Sequence, residues 1–329
     1  MSTSPAIDIS HLSHRYGQHE AIRDLSLSVT SGEIFALLGP NGSGKTTLFR
    51  VLSTLIPIQQ GDVQILGIDL RTQPDAIRAQ LGVVFQAPSI DRKLTVWENV
   101  IHHGRFYGLG GSDLRSRTET MLSRLGLTDR RGCLVETLSG GMRRRVELAQ
   151  GMLHQPRLLL LDEPSTGLDP GARSDLWQYL QQVRSESNVT IVLTTHLLEE
   201  AERADRIAIM HQGQLSALDT PTALQASVGG DAITIRTNDA TALATAIADK
   251  FSVRPMVVDG SVRLELPHGH EWIARLVEAF SDRIDTITLG KPTLEDVFIH
   301  VTGHQFWNSA HGEDSTAGNK ASKGNKQTH

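Results

Sequence analysis

An α/β fold with a parallel sheet, followed by a smaller α+β unit, is what this sequence predicts, and three observations carry that expectation. The apolar stretch Ile34-Phe35-Ala36-Leu37-Leu38 runs into a glycine-rich octapeptide and then into apolar residues at helix spacing. Between 156 and 210, apolar runs at 158–161, 189–193 and 207–210 alternate with helical stretches at 171–184 and 197–204. That order means parallel strands joined by crossover helices. Beyond Ala226-Ser227-Val228-Gly229-Gly230 the pattern becomes strand, helix, strand, strand, helix, strand, which is a split βαβ module.

Taken in order, residues 6–38 alternate polar and apolar over short runs, with turn signals at Tyr16-Gly17-Gln18 and Ser31-Gly32, and so predict three strands. The third is nearly all apolar and belongs in the middle of a sheet. After the octapeptide, apolar residues at 48, 49, 51 and 52 fit one helix face. Residues 95–128 read as helices broken at Gly108-Leu109-Gly110-Gly111. Leu158-Leu159-Leu160-Leu161, between Arg157 and Asp162, is a short buried strand. In the last third, strands are expected at 231–236, 253–258, 262–266 and 284–289, and helices at 240–250 and 270–280. After Trp307 no apolar residue is larger than alanine, so the tail at 308–329 is expected to be disordered. The resulting division is a main domain over 6–226, a small α+β domain over 231–303, and the tail.

Composition narrows the function classes. The 329 residues carry 32 Lys and Arg against 37 Asp and Glu, a formal charge of −5, so no nucleic-acid partner is expected. One cysteine, Cys133, allows no internal disulfide and no multi-thiolate metal site, which points to a reducing compartment. Met1 to Asp8 lack the basic start and apolar run of a signal peptide. No window approaches the roughly 18 apolar residues of a membrane span. Work at a membrane would therefore require spanning helices from another chain.

The octapeptide Gly39-Pro40-Asn41-Gly42-Ser43-Gly44-Lys45-Thr46 satisfies the P-loop pattern in full, with the strand before it and the helix after it that the pattern requires. Its glycines let backbone amides face phosphate oxygens at a helix N-terminus. Lys45 supplies a point charge for the β and γ phosphates, the Thr46 hydroxyl is a magnesium ligand, and Thr47 completes the loop. The acidic pair Asp162-Glu163 ends the 158–161 strand. Asp162 is placed to reach the metal through water, and Glu163 to accept a proton from the attacking water.

Leu138-Ser139-Gly140-Gly141-Met142, followed by Arg143-Arg144-Arg145-Val146-Glu147-Leu148-Ala149, resembles the signature motif of ATP-binding cassette (ABC) ATPases, shortly before the acidic strand. Physically, Ser139, Gly140 and Gly141 cap a helix start and make a second anion site; the resemblance implies that it serves the γ phosphate of a nucleotide held by the other subunit. It further implies adenine stacking by Tyr16, a link between magnesium, water and a helical insert through Gln86, an interface loop at Ser165-Thr166-Gly167-Leu168-Asp169, and a γ-phosphate contact by His196. Met142 departs from the commonest signature glutamine, and the arginine run is unusually basic. Pro292-Thr293-Leu294-Glu295-Asp296-Val297-Phe298-Ile299-His300-Val301-Thr302-Gly303 is similar to the closing motif of ATPases serving type 2 ABC exporters, including daunorubicin-resistance-type drug efflux ATPases. Its apolar positions 294, 297, 298 and 301 also fit an amphipathic helix that pins the small domain down.

The fold so implied is a P-loop NTPase of the ABC ATPase type, with an antiparallel β subdomain, a helical insert and the small C-terminal domain. The function implied is ATP and Mg2+ binding and ATP hydrolysis by an exporter subunit, as a homodimer or heterodimer, cytoplasmic and held at the inner face of the cell membrane by a separate permease. A soluble ABC ATPase of DNA repair or translation is the alternative; its usual coiled-coil insertions, zinc sites or second cassette have no counterpart here. The segment Ala87-Pro88-Ser89-Ile90-Asp91-Arg92-Lys93-Leu94 holds exposed-looking apolar residues beside charges; the resemblance implies that a short permease helix docks beside it, the alternative being an ordinary surface loop with Ile90 and Leu94 tucked into the helical insert.

Overall fold

The computed structural model describes residues 5–258 and 260–303; the tail expected at 308–329 lies outside the described residues. The chain runs β1 (Ile7–Tyr16), β2 (His19–Val29), β3 (Ile34–Leu38), α1 (Lys45–Leu52), β4 (Gln60–Ile65), β5 (Ile68–Asp69), α2 (Pro74–Arg78) and β6 (Leu81–Val84). Three insert helices follow, α3 (Val96–Phe106), α4 (Gly111–Arg124) and α5 (Gly140–Met152). Next come β7 (Leu158–Asp162), α6 (Pro170–Ser187), β8 (Thr190–Thr195), α7 (Leu198–Ala201), β9 (Arg206–His211), β10 (Gln214–Asp219) and α8 (Pro221–Val228). The last third holds β11 (Asp231–Arg236), α9 (Ala240–Phe251), β12 (Met256–Val258), β13 (Ser261–Leu266), α10 (Gly269–Phe280), β14 (Thr286–Gly290) and α11 (Leu294–Thr302).

The central sheet has the order β10-β9-β3-β8-β7-β6. The pairings β3·β8, β3·β9, β7·β8 and β6·β7 are parallel, and only β10 runs antiparallel, against β9. β3, β7 and β8 are buried along their whole length, which is why they read as unbroken apolar runs instead of alternating ones. Their alternate residues still face opposite ways. Ile34, Ala36 and Leu38 join a core with the insert helices and α6. Phe35 and Leu37 join a second core with α1 and the antiparallel sheet β2-β1-β4-β5. The central sheet therefore separates two cores, and its strands end between them.

The small sheet has the order β12-β13-β11-β14 with every pairing antiparallel. Ile233, Ile235, Val262 and Leu264 on one face pack with Leu243 and Ile247 of α9 and Leu276 of α10. α11 then returns to the main body, where Leu294, Val297 and Phe298 are fully buried in the insert-side core alongside Leu224 and Val228 of α8. A capping box between Thr293 and Asp296 fixes its start. Buried Asp296 also pairs with Arg263 of β13, so α11 is tied to both units. Two elements are shorter than the sequence predicts: α7 covers only part of 197–204, and β12 only part of 253–258.

Candidate active site

Four parallel strands determine where the sequence-predicted groups meet. β3, β6, β7 and β8 point the same way, so the residues that follow them, 39–46, Gln86, Glu163 and His196, emerge at one edge of the sheet. β3 lies between β8 and β9, a place where the chain crosses to either side, and such a switch point opens a crevice at the carboxyl ends of the strands.

The P-loop is closely wrapped. Gly44 stands at φ 101°, and a Cβ there would lie 2.5 Å from the Ala21 carbonyl oxygen; only glycine fits that turn into α1. Lys45, 4% exposed, donates from Nζ to the carbonyl oxygens of Gly39 at 2.6 Å and Pro40 at 2.9 Å. Burial pulls its ammonium down to about 8, against the upward pull of Glu163 and Asp162. Ser43 Oγ is buried with no hydrogen-bond partner among the described residues. Thr46 is exposed while Thr47 is buried. Asn41 and Gly42 are exposed at the tip of the loop.

At the end of β7 the two carboxylates sit in different surroundings. Asp162 is buried, and burial raises its pKa despite the Thr194 hydroxyl, which donates to Oδ1 at 2.6 Å. That same hydroxyl accepts the Glu163 N–H at 2.9 Å. Glu163 has φ 43°, left-handed for a residue with a side chain. Its Oε2 accepts from Gln86 Nε2 and Thr166 Oγ1, both at 3.1 Å, and its Oε1 lies 3.2 Å from His196 Nδ1. The His196 contact holds the Glu163 carboxyl below the usual range, against the effect of burial. The side chains of Gln86, Glu163 and His196 thus form one cluster beside Lys45.

Ser139, Gly140 and Gly141 lie apart from that cluster. Ser139 Oγ accepts the Met142 N–H at 3.3 Å and caps α5. A Cβ at Gly141 would come within 2.9 Å of Ala172 Cβ, so the signature packs on the segment just past the 165–169 loop. Tyr16, 44% exposed, leans its ring edge on His14 at 4.9 Å between centroids. In the 87–94 segment residues 87–89 and 91–93 are exposed, but the exposure expected of its apolar residues is corrected: Ile90 is 8% exposed and belongs to the insert-side core, and Leu94 is half-buried. Asp91, Arg92 and Lys93 mask this in the sequence. The apolar side chain that reaches solvent there is Leu134, 39% exposed, from the strip that bonds back to Arg92 and Leu94.

Three groups of residues escaped the sequence reading. Thr194 couples Asp162 to Glu163. Buried Glu200 accepts from Ser165 Oγ and, at 2.8 Å, from Thr195 Oγ1, joining the 165–169 loop to the His196 strand end. Arg144 and Glu147 of α5 form a buried ion pair. Thr194 and Glu200 stand in no contiguous pattern with a phosphate or acid–base meaning, and the signature run that holds Arg144 and Glu147 does not announce their contacts.

The family model described as ABC transporter matches residues 22–166. Daunorubicin resistance ATP-binding protein DrrA2 of Streptomyces coeruleorubidus is 36% identical over 313 residues, covering 92% of this chain and 97% of that one. This chain belongs to the ABC transporter ATP-binding proteins. Nod factor export ATP-binding protein I of Rhizobium johnstonii is 34% identical to this ATPase over 307 residues, covering 92% of it and 97% of the relative. A solved ATP-binding subunit of an ABC transporter, 29% identical, superposes with a TM-score of 0.62 over 68% of this ATPase and 93% of that chain. The family binds and hydrolyses ATP to energise transport. Among the described residues, no helix of this ATPase is long and apolar enough to cross a membrane.

Proposed function

We propose that this ATPase powers an exporter of drug-like or lipid-like small molecules through a permease carried on a separate chain, working as a homodimer or heterodimer. It would sit in the cytoplasm, against the inner face of the membrane. The observation that carries the catalytic part is the Gln86, Glu163 and His196 cluster facing Lys45 across the P-loop. The functions for which the relatives are named, daunorubicin resistance and Nod factor export, support the exporter reading over DNA repair or translation.

The residues present fit ATP and Mg2+. The loop offers an unpartnered Ser43 hydroxyl, amides at a helix start, and an ammonium that now serves the loop's own carbonyls. The Thr46 hydroxyl and Asp162 are hard oxygen donors. No cluster of three or more His, Cys, Asp or Glu suited to a metal occurs among the described residues. Mg2+ takes few protein ligands and keeps water and phosphate oxygens. When bound, the metal neutralises developing phosphate charge. Residues 39–47 hold and orient the phosphates, and Lys45 moves its donors from Gly39 and Pro40 to them. Glu163, ionised and oriented by Gln86 and His196, accepts the proton of the attacking water. His196 would contact the γ phosphate, and Gln86 would be the residue that reaches metal and attacking water from the insert side. Tyr16 stacks on adenine. Ser139, Gly140 and Gly141 complete the partner's site, so a two-fold pair closes on two nucleotides. The permease meets the surface beside residues 87–94, where Leu134 is the exposed apolar contact.

Glu163→Gln tests the assignment. The variant should bind ATP with the affinity of the parent, lose turnover, and accumulate as an ATP-bound dimer on sizing with ATP and Mg2+, because proton acceptance goes while the phosphate cradle stays. Turnover at the parent rate would remove Glu163 from the base role.

A further inference from the structure

Arg144 and Glu147 face each other on α5 at 2.9 Å with side chains 8% and 5% exposed. Burying a full ion pair is costly unless both partners are otherwise saturated with hydrogen bonds, and here they are saturated by two particular stretches of backbone. Arg144 Nε donates to the Pro164 carbonyl at 2.7 Å, Nη2 to the Glu163 carbonyl at 3.3 Å, and Nη1 to the Phe85 carbonyl at 2.9 Å. Glu147 Oε1 accepts the Ser89 N–H at 3.0 Å. Phe85 and Ser89 bracket Gln86. Glu163 and Pro164 form the left-handed turn that aims the candidate base.

We propose that Arg144 and Glu147 are positioning residues for hydrolysis, holding the Gln86 segment and the Glu163 turn on the helix that opens at Ser139. The inference rests on the proposed catalytic roles of Glu163 and Gln86. Glu163 at φ 43° keeps its conformation through two grips, the Thr194 hydroxyl on its N–H and the Arg144 guanidinium on its C=O. A planar fork with five donors spans three carbonyls on two separate chain segments, which a lysine ammonium on its flexible stem does not do. Since Ser139 lies about one and a half helical turns from Arg144, a shift at the signature also moves the base of the same chain. The guanidinium thereby links the helix that opens at Ser139 to the turn that carries the base of the same chain.

The test uses the full-length chain with Arg144→Lys, Arg144→Met and the double change Arg144→Met with Glu147→Leu, beside Glu163→Gln. The double change removes both charges and keeps comparable volume, so it retains the fold where Arg144→Met alone strands a buried carboxylate. Trinitrophenyl-ATP binding, thermal unfolding and steady-state hydrolysis are measured on each. The expected result for the double variant is parental nucleotide affinity within about twofold, with kcat lower by about tenfold or more, as misplacement of a reacting group near 1 Å produces. Arg144→Lys should recover only part of that loss. Parental kcat in the double variant, with Glu163→Gln inactive, overturns the positioning role and leaves the base assignment standing. Loss of binding, melting temperature and kcat together in the double variant also overturns it, by showing an ordinary packing pair. Turnover in Glu163→Gln would remove the base, and this inference with it.

Discussion

Thr194→Val is the sharpest probe of how the acidic strand end is built. Valine keeps the shape of the fully buried threonine and removes only the hydroxyl that bridges Asp162 Oδ1 and the Glu163 N–H. Loss of a hydrogen bond to a charged acceptor costs about 1.5–3 kcal/mol, and a stranded buried donor about 1–3 kcal/mol. Together these predict destabilisation of about 3–5 kcal/mol, or a melting temperature roughly 10 °C lower for a domain of this size. The deficit should depend on pH. Burial already raises the Asp162 pKa and the Thr194 bond opposes that rise, so its loss raises the pKa further. A carboxyl whose folded-state pKa is raised regains stability as pH falls through that pKa. The gap between variant and parent therefore narrows in acid, where a protonated Asp162 no longer needs a donor. Thr194→Ser retains the hydroxyl and should lose only about 1 kcal/mol for a methyl group. Calorimetry at neutral and acid pH, with ATPase assays alongside, measures all of this, and kcat of the valine variant should fall at least about tenfold as Glu163 loses its anchor. A valine variant as stable and active as the parent, or a serine variant as damaged as the valine one, refutes the bridge.

Nucleotide affinity should fall about tenfold between pH 7 and pH 9, because burial pulls the Lys45 ammonium down to about 8 and phosphate binding requires the charged form. Titration calorimetry in buffers of different ionisation heat should show proton uptake above pH 8, and an affinity flat across that range would contradict it. Phe298→Ala should destabilise the protein by about 3–5 kcal/mol, since the ring is fully buried in the insert-side core. A loss below about 1 kcal/mol in thermal unfolding would show that the site collapses around the missing ring.

The groups that were legible in the sequence are those whose chemistry demands neighbours along the chain. A phosphate cradle needs consecutive amides, so residues 39–46 declare themselves. An acidic pair at the end of a buried strand is visible because Leu158 to Leu161 precede it. Arg144, Glu147, Thr194 and Glu200 act across space, on partners 20 to 59 residues away for Arg144 with Pro164 and Phe85, and their contacts leave no mark in the local sequence. A buried arginine inside an arginine run looks like its half-buried neighbours. Ile90 misleads in the opposite direction, because the three charged residues after it conceal that the chain dips into the insert there. Strands β4 and β5 were missed because the antiparallel sheet they complete is irregular, with register shifts along β1.

The return of α11 to the main body has a consequence during synthesis. Leu294, Val297 and Phe298 fill positions in a core otherwise made by residues from 34 to 228, so that core stays open until nearly the whole chain has left the ribosome. Nascent chains, and any chain ended early by a stop codon or clipped within the last strands, present an unfilled apolar seat next to α8. Exposed surface of that kind attracts chaperones and promotes aggregation. A molecule that lacks α11 is therefore the one on which chaperones and aggregation would act.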